Sequence, residues 1–480
     1  MSRLGLIYAL GLWISLGVPA NAANWPVFGH DPARSGVDVG DRILNANNVG
    51  KLKARWQIAF PAGAVADSTP ILLDVPFRGK TRRMLFQTAK NGVTFGVDAF
   101  SGHILWRFAT HGPKITNSTP AADPGGTAIY VPGVDGFVRK LGAATGHELA
   151  APGFPLRITR MRQTEKDDSP LNVANGYLYA VTAGYLGDST PYDGHVVNVN
   201  LSDGTTHVFN SLCSDYRKLP GPKTCAYSDS GIWGRGGAVV DPDPAMNGQV
   251  FAATGNGNFN ANQGGHNYGD SVIGLTFDAL GFVGNYTPAD YQKLDQDDLD
   301  LGSTSPALLP RRSLSTTPLM LVQGGKDQIL RLVNRNPLPG VAGELQEISL
   351  SSPLFSTPAV WTDGSNRVWI FIGLPQAVEA YRLMTQGGVS RLTAAWQAAP
   401  GQTGGEGTSP VISNGIVFVA FDNAIVALNA TTGKELWTSA MPSAGKTIGP
   451  VHWESPIVVN GWVYCSDENG NLTAYALPNK

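Results

Sequence analysis

Cysteine is nearly absent from this 480-residue chain, which has only Cys213, Cys225 and Cys465. No Cys-x-x-Cys-His segment occurs, so covalent c-type haem is excluded. Histidine is scarce, at 8 residues, which argues against a His-rich metal centre. Charge is low as well: Asp, Glu, Lys and Arg make up 15% of the chain, and the formal net charge is −2. Without a basic excess nothing holds a phosphate backbone, and no nucleic-acid partner is expected. No apolar run reaches the ~18 uninterrupted residues of a spanning helix, so no membrane span is expected. A Gly-x-Ser-x-Gly elbow, a His-Glu-x-x-His pair and a phosphate loop are all missing.

Glycine and proline are plentiful, at 58 and 33 residues, and hydrophobic residues reach 42%. The apolar content is too high for disorder. The Gly and Pro content is too high for long helices. At the start, Arg3, the apolar run Leu4 to Val18 and the small-residue site Ala20-Asn21-Ala22 read as a secretory signal over residues 1–22. Residues 23–480 then form one domain, and a periplasmic or secreted location is expected. An oxidising compartment lets Cys213 and Cys225 close a small loop. Cys465, in the run Trp462-Val463-Tyr464-Cys465, reads as a buried thiol.

The chain repeats. A Ser/Thr-Pro step opens an apolar run at Pro70, Pro120, Pro170, Pro306, Pro358, Pro410 and Pro456, and Gly237-Ala238 opens a matching run between the third and fourth. The spacings are 50, 50, 68, 68, 52, 52 and 46 residues. A second signal, Asp/Asn-x-x-x-Gly-x-x-x-Trp, is clearest at Asp98, Gly102 and Trp106 and at Asn429, Gly433 and Trp437. Weaker copies hold Gly146, Gly204, Gly281 and Gly388. Asx and Gly suit a tight hairpin turn, and the Trp offers a ring to pack between sheets. Four short strands per unit make a propeller blade, and eight units make eight blades. The last strand, near Leu472 to Leu477, lacks its outer partner. That partner stands at the other end, at Leu52 to Trp56, so the two ends are expected to share a blade and close the ring. The expected fold is therefore an all-β, eight-bladed propeller of four-stranded antiparallel blades.

In such a ring the inner strands start together at one rim. The residues just before each step should converge there: Asp67, Asn117, Asp167 and Asp168, Arg235, Asp300, Ser356, Glu406 and Glu454, with His452 and Trp453. Carboxylates on five of the eight blades suit a cation or a polar ligand. Lys114, Arg160 and Arg162 are candidate positive charges. The Asn-rich loop from Gly255 to Gly265 is expected to overhang the rim as a lid or wall, with Thr190-Pro191-Tyr192 facing it.

These repeats resemble the tryptophan-docked propellers of the pyrroloquinoline quinone (PQQ) dehydrogenases, from Trp25-Pro26-Val27-Phe28-Gly29 to the C-terminus. Outer-membrane assembly lipoproteins share that propeller without a cofactor. Gly231-Ile232-Trp233 through Thr254-Gly255-Asn256 is similar to the dehydrogenase stretch that supplies a floor Trp and a calcium-ligating Asn. The resemblance implies that Trp233 is the floor and Asn256 a metal ligand. Asp298 and Asp300 match the family's Asp-x-Asp, which implies a general base at Asp298 and an added metal charge at Asp300. Lys326, in Gln323-Gly324-Gly325-Lys326-Asp327, matches the cation placed on the quinone oxygens. Asn117 and Arg235, from the rim, complete the cofactor-binding candidates.

The departures are specific. The vicinal Cys-Cys ring is missing, Gln328 stands where a Gly is expected, and Pro306 is one residue off the family spacing. Ser189 stands at the place of the Glu metal ligand, with Asp188 beside it as the substitute ligand. The implied function is an exported dehydrogenase using PQQ and calcium, or a lanthanide. It would oxidise an alcohol or polyol and pass electrons to a separate acceptor such as a soluble cytochrome c. The alternative is a cofactor-free periplasmic propeller that binds or scaffolds. A third reading is a propeller that binds or cleaves a glycan or other polymer.

Overall fold

Inner strands begin directly behind the proline steps. The structure, a computed structural model, describes residues 24–185, 189–401 and 405–478. Strands start at Ile71, Ala121, Asn172, Val239, Ala307, Ala359, Val411 and Ile457, each within two residues of a step. Proline suits the first place in a strand because its φ is preset and it has no N–H to leave unpaired. Eight sheets follow in chain order around a ring. Blade 1 is representative, with Ile71–Phe77, Lys80–Thr88, Val93–Asp98 and Ile104–Ala109 in antiparallel order. The second strands read as unbroken apolar runs because blades cover both of their faces. Ile416–Phe421 is buried at every position.

Both chain ends build blade 8. Lys53–Ala59 pairs antiparallel with Asn471–Ala476, outside Trp462–Ser466 and Ile457–Val459. The ring is thereby closed and leaves no inter-blade seam. Two short parallel additions widen other blades: Val37–Asp38 on Val411–Ser413, and Gly340–Val341 on Phe282–Thr287.

The Gly-and-Trp signal links one blade to the next. The indole N–H of Trp106 donates to Ala143 O (2.9 Å), that of Trp396 to Ala430 O (3.0 Å), and that of Trp56 to Ala99 O (3.2 Å). Each ring lies on the turn glycine of the following blade, as Trp106 does on Gly146. Gly146 has φ +69°, and a Cβ there would stand 2.5 Å from the Trp106 ring. The glycine is thus required twice, by the left-handed turn and by the incoming indole.

Residues 24–38 form a strap across the channel. Their carbonyls accept hydrogen bonds from inner strands of blades 1, 2, 4, 6 and 7. Arg34, fully buried, nails the strap down: it donates to Phe28 O (2.9 Å), Gly236 O (3.0 Å), Pro170 O (3.2 Å) and Leu171 O (3.0 Å). Away from the channel, Cys213 and Cys225 form a disulfide with 5.8 Å between Cα atoms, and Cys465 is a buried free thiol. No helix among the described residues is long and apolar enough to cross a membrane.

Candidate functional site

The strand starts converge on one cavity of about 570 Å³. Asp67, Asn117, Asp168, Asp300, Glu406, His452 and Trp453 all line it. Four other rim residues, Asp167, Arg235, Ser356 and Glu454, are buried and do not line it. Burial pushes the carboxyls of Asp167 and Glu454 well above the ordinary carboxylate range.

Trp233 forms an aromatic floor with two neighbours, Phe355 at 6.1 Å and Trp453 at 6.2 Å between ring centroids. One corner beside this floor is built by the connection from blade 4 to blade 5. Its helix, Tyr291–Asp297, ends on Asp298 in a left-handed conformation (φ 55°), which turns the chain inward to Asp300. Asp300 is buried and accepts the backbone N–H of Asn256 at 2.6 Å. The Lys326 ammonium pairs with Asp300 and donates to Asp298 at 2.9 Å. It also stands 5.2 Å from the Trp233 ring centroid, within cation–π range. Burial raises the Asp300 carboxyl against the pull of Lys326. Although burial alone would lower the Lys326 ammonium, the charges of Asp300 and Asp298 raise it. Asp298, in contrast, is 64% exposed.

Beneath this corner lies Asp270, which the sequence reading passed over. One oxygen accepts Leu301 N–H at 3.0 Å, and the other has no hydrogen-bond partner among the described residues. Burial and the charge of Asp300 push its carboxyl well above the ordinary carboxylate range.

The opposite wall is a chain of buried contacts. Asn117 Nδ2 donates to Asp67 at 2.5 Å, Lys166 donates to Asn117 Oδ1, and Lys166 pairs with Asp168 at 2.7 Å. His452 Nδ1 lies 3.1 Å from Asp67, and Lys90 lies 3.2 Å from it. Burial alone would raise Asp67; the His452 hydrogen bond and the charges of His452 and Lys90 outweigh it and hold the carboxyl at about 2. Asp67, His452 and Glu468 bring three potential ligand atoms within 4.8 Å of one another. The Lys90 ammonium already pairs with both carboxylates there, at 3.2 and 2.8 Å.

Of the residues singled out from sequence, Trp233, Asn117, Asn256, Asp298, Asp300 and Lys326 line the one cavity. Arg235 does not line it. It is buried behind Trp453, 5.3 Å from that ring, and donates to Glu406 (3.0 Å) and Gly407 O. It positions Glu406 and Trp453 instead of facing a guest. Asp188 lies outside the described residues. The Asn-rich loop is not a lid: Phe259 bridges to Tyr268 and is buried, and of this stretch only Asn256 reaches the cavity. Tyr192 does reach it. The cations of the mouth are Lys90, Lys166 and Lys326, whereas Lys114, Arg160 and Arg162 do not line it. Lys90 had no signal of its own, since it adjoins no step; Lys166 stands four residues before Pro170, the offset of Glu406 from Pro410 and of His452 from Pro456, so the same signal marks it.

Comparison with known proteins places the fold. The chain shares its propeller architecture, at low identity, with quinoprotein alcohol dehydrogenases and with BamB. The quinohemoprotein alcohol dehydrogenase ADHIIG from Pseudomonas putida HK5 superposes with a TM-score of 0.67 at 14% identity, over 95% of this chain and 80% of that one. A europium-containing methanol dehydrogenase gives 0.66 at 14% identity, over 95% and 98%. BamB from Moraxella catarrhalis gives 0.53 at 11% identity, over 89% and 98%. A family model described as outer membrane protein assembly factor BamB matches residues 387–478. No curated protein sequence matches the chain.

Proposed function

We propose that the protein is a quinoprotein-type dehydrogenase that oxidises an alcohol or polyol with PQQ and calcium or a lanthanide. One observation carries this reading: Trp233, Asn256, Asp300 and Lys326, from separate loops, line one cavity. The residues fit the group. A flat quinone calls for an aromatic face, and the floor of Trp233, Phe355 and Trp453 offers one. A hard cation calls for neutral and anionic oxygens, and Asn256 and Asp300 bring one of each kind. When bound, the quinone supplies the hydride acceptor.

The chain's residues do the rest. Trp233 sets the plane of the guest, and Lys326 presents a positive charge at its edge. Asp300 is assigned the substrate's hydroxyl proton, in preference to Asp298. Asp300 would both help to hold the cation and act as this base, since it sits in the closed corner with Asn256 and burial gives its carboxyl a raised proton affinity. Asp298, exposed at the edge, serves as counter-ion to Lys326.

The test is direct. The purified protein is mixed with PQQ and calcium or lanthanum, and thermal shift and quinone absorbance are read. Binding is expected with either metal, and Asp300→Asn should keep the quinone while dye reduction with an alcohol panel falls at least 100-fold. Failure to bind with every metal tried would sink the enzyme reading. A cofactor-free binding module would then stand, and the self-neutralised pairing of Lys326 with Asp298 and Asp300 favours that second reading.

A further inference from the structure

The strap meets the inner strands by a rule. The residue two places after each step turns its N–H into the channel, and a strap carbonyl takes it. Leu72 donates to Trp25, Ala122 to Pro26, Val240 to Pro32, Val360 to Ser35 and Ile412 to Gly36, all at 2.7–2.9 Å. In blade 3 the side chain of Asn172 donates to Pro32 O at 2.8 Å instead. In blade 8 the equivalent Val458 is sealed in the core cluster that holds Trp25. Blade 5 alone breaks the pattern with open space.

The blade-5 residue is Leu308. Its neighbour Leu309 donates to Met320 O (3.0 Å) within the blade, and Leu308 faces Leu321 in register. Alternation along an antiparallel strand therefore turns the Leu308 N–H away from the blade, toward the channel. Among the described residues no strap carbonyl bonds to it. Between Pro32 on blade 4 and Ser35 on blade 6 the strap passes blade 5 by, and a cavity of about 680 Å³ is left there.

Its chemistry is one-sided. Pro32, Ala33, Val240, Pro242, Leu308 and Pro310 give it apolar walls. Its arginines are already engaged, and Asp31 accepts from Ser35. Arg335 pairs with Asp241 at 2.5 Å and donates to Leu309 O, and Arg311 pairs with Asp243 at 2.6 Å. The cavity therefore offers apolar surface and the Leu308 N–H, with Asp31, Asn175 and Thr362 as polar lining at its sides. Apolar walls beside a main-chain donor match what the strap itself supplies to the other blades, an extended backbone with a carbonyl at the right place.

We propose that this second cavity binds a short, extended, apolar peptide segment of a partner protein, whose carbonyl takes the Leu308 N–H as strap carbonyls do on the neighbouring blades. It lies further along the inner strands than the mouth, and it owes nothing to the quinone reading.

The experiment uses the mature chain. Random seven-residue displayed peptides are enriched on it, and the strongest is synthesised with a fluorophore and titrated by anisotropy. Two variants fill the cavity from opposite sides: Ala33→Trp from the strap and Thr362→Trp from blade 6. Each is first checked for an unchanged circular dichroism spectrum and midpoint. Binding is expected to weaken at least tenfold in both, and the Leu308 amide should exchange at least tenfold more slowly when the peptide is bound. The proposal is overturned if no peptide is enriched, if either folded variant binds as wild type does, or if Leu308 exchange is unmoved. It is also overturned if anilinonaphthalene sulfonate fills the cavity while no peptide competes for it, since the site would then be one for small apolar molecules.

Discussion

Replacing Arg34 with Met should destabilise the whole ring, and the size of the effect follows from two opposed terms. Arg34 makes four hydrogen bonds to buried carbonyls from three segments: the strap, blade 3 and the approach to blade 4. Hydrogen bonds from a charged donor contribute ~1.5–3 kcal/mol each, so about 6–12 kcal/mol is lost when the guanidinium is removed. Against this stands the cost of burying the charge. Burial, only partly offset by Asp31, pushes the guanidinium down from its ordinary value to about 9, which corresponds to roughly 5 kcal/mol recovered by the apolar replacement. The group stays charged at neutral pH, so both terms apply there. Hydrogen bonding wins, and the expected net loss is on the order of 1–7 kcal/mol. Urea unfolding followed by tryptophan fluorescence, read with limited proteolysis of residues 24–38, measures it. A variant as stable as wild type, with its strap equally protected, would show that the guanidinium is a tolerated burial and not the nail of the strap.

Three further outcomes are expected. Burial, with the carboxylates Glu165 and Asp229 and against the charge of His195, raises Asp193 to about 7. A raised acid stabilises the fold below its ordinary pKa and gives up that contribution as pH climbs through the folded value. Wild type should therefore lose up to about 4 kcal/mol relative to Asp193→Asn between pH 4 and pH 8; parallel urea profiles across that range would refute the burial argument. Gly146→Ala must both hold φ +69° and displace Trp106, whereas Gly176→Ala meets only the φ penalty, having nothing within 4 Å. The first should cost ~1–3 kcal/mol more than the second by thermal unfolding, and equal costs would deny the indole contact. Lys326→Met leaves Asp300 buried without its cation and should cost about 3–5 kcal/mol; adding Asp300→Asn should restore most of it, and a double variant no better than the single would refute the coupling.

The ring was legible in the sequence because the physics that spaces the steps is local. A Pro after Ser or Thr, then a short apolar run, reports a strand start without any tertiary knowledge, and the join of Lys53–Ala59 to Asn471–Ala476 followed from one missing partner. The candidate site was legible wherever a residue adjoined a step, as Asp67, Asn117 and Asp300 do. It was illegible where a long side chain reaches in from elsewhere. Lys90 follows a second strand of blade 1, so nothing in the chain marks it, whereas Lys166 stands four residues before Pro170, as Glu406 and His452 do before their steps, and was within reach of the same signal. Arg235 failed for the opposite reason: its backbone is at the rim, but its side chain turns behind Trp453 to reach blade 7. Sequence position fixes where a Cα lies on a strand start and leaves the side-chain direction open. The strap's path and the gap it leaves at Leu308 depend on contacts across more than 200 residues, which no spacing encodes.

The mouth neutralises itself, and this decides which side can do chemistry. Asp67 faces His452 and Lys90, Asp168 faces Lys166, Glu406 faces Arg235, and Asp298 and Asp300 share Lys326. A guest meets closed pairs and little long-range field, so each polar group it brings must displace a partner already there. The cost of displacement differs sharply around the rim. Lys166 and Asp168 are both buried, and breaking such a pair costs ~3–5 kcal/mol. Lys326 can let go of Asp298 far more easily, because an ion pair with an exposed carboxylate contributes ~1 kcal/mol or less. It keeps Asp300 while it does so, and it stays over Trp233. The Asn117–Lys166–Asp168 wall is therefore a frame that holds its shape whatever enters. The adjustable charge of the cavity is Lys326, and it lies in the same corner as the buried acid pair Asp300 and Asp270 and the amide of Asn256.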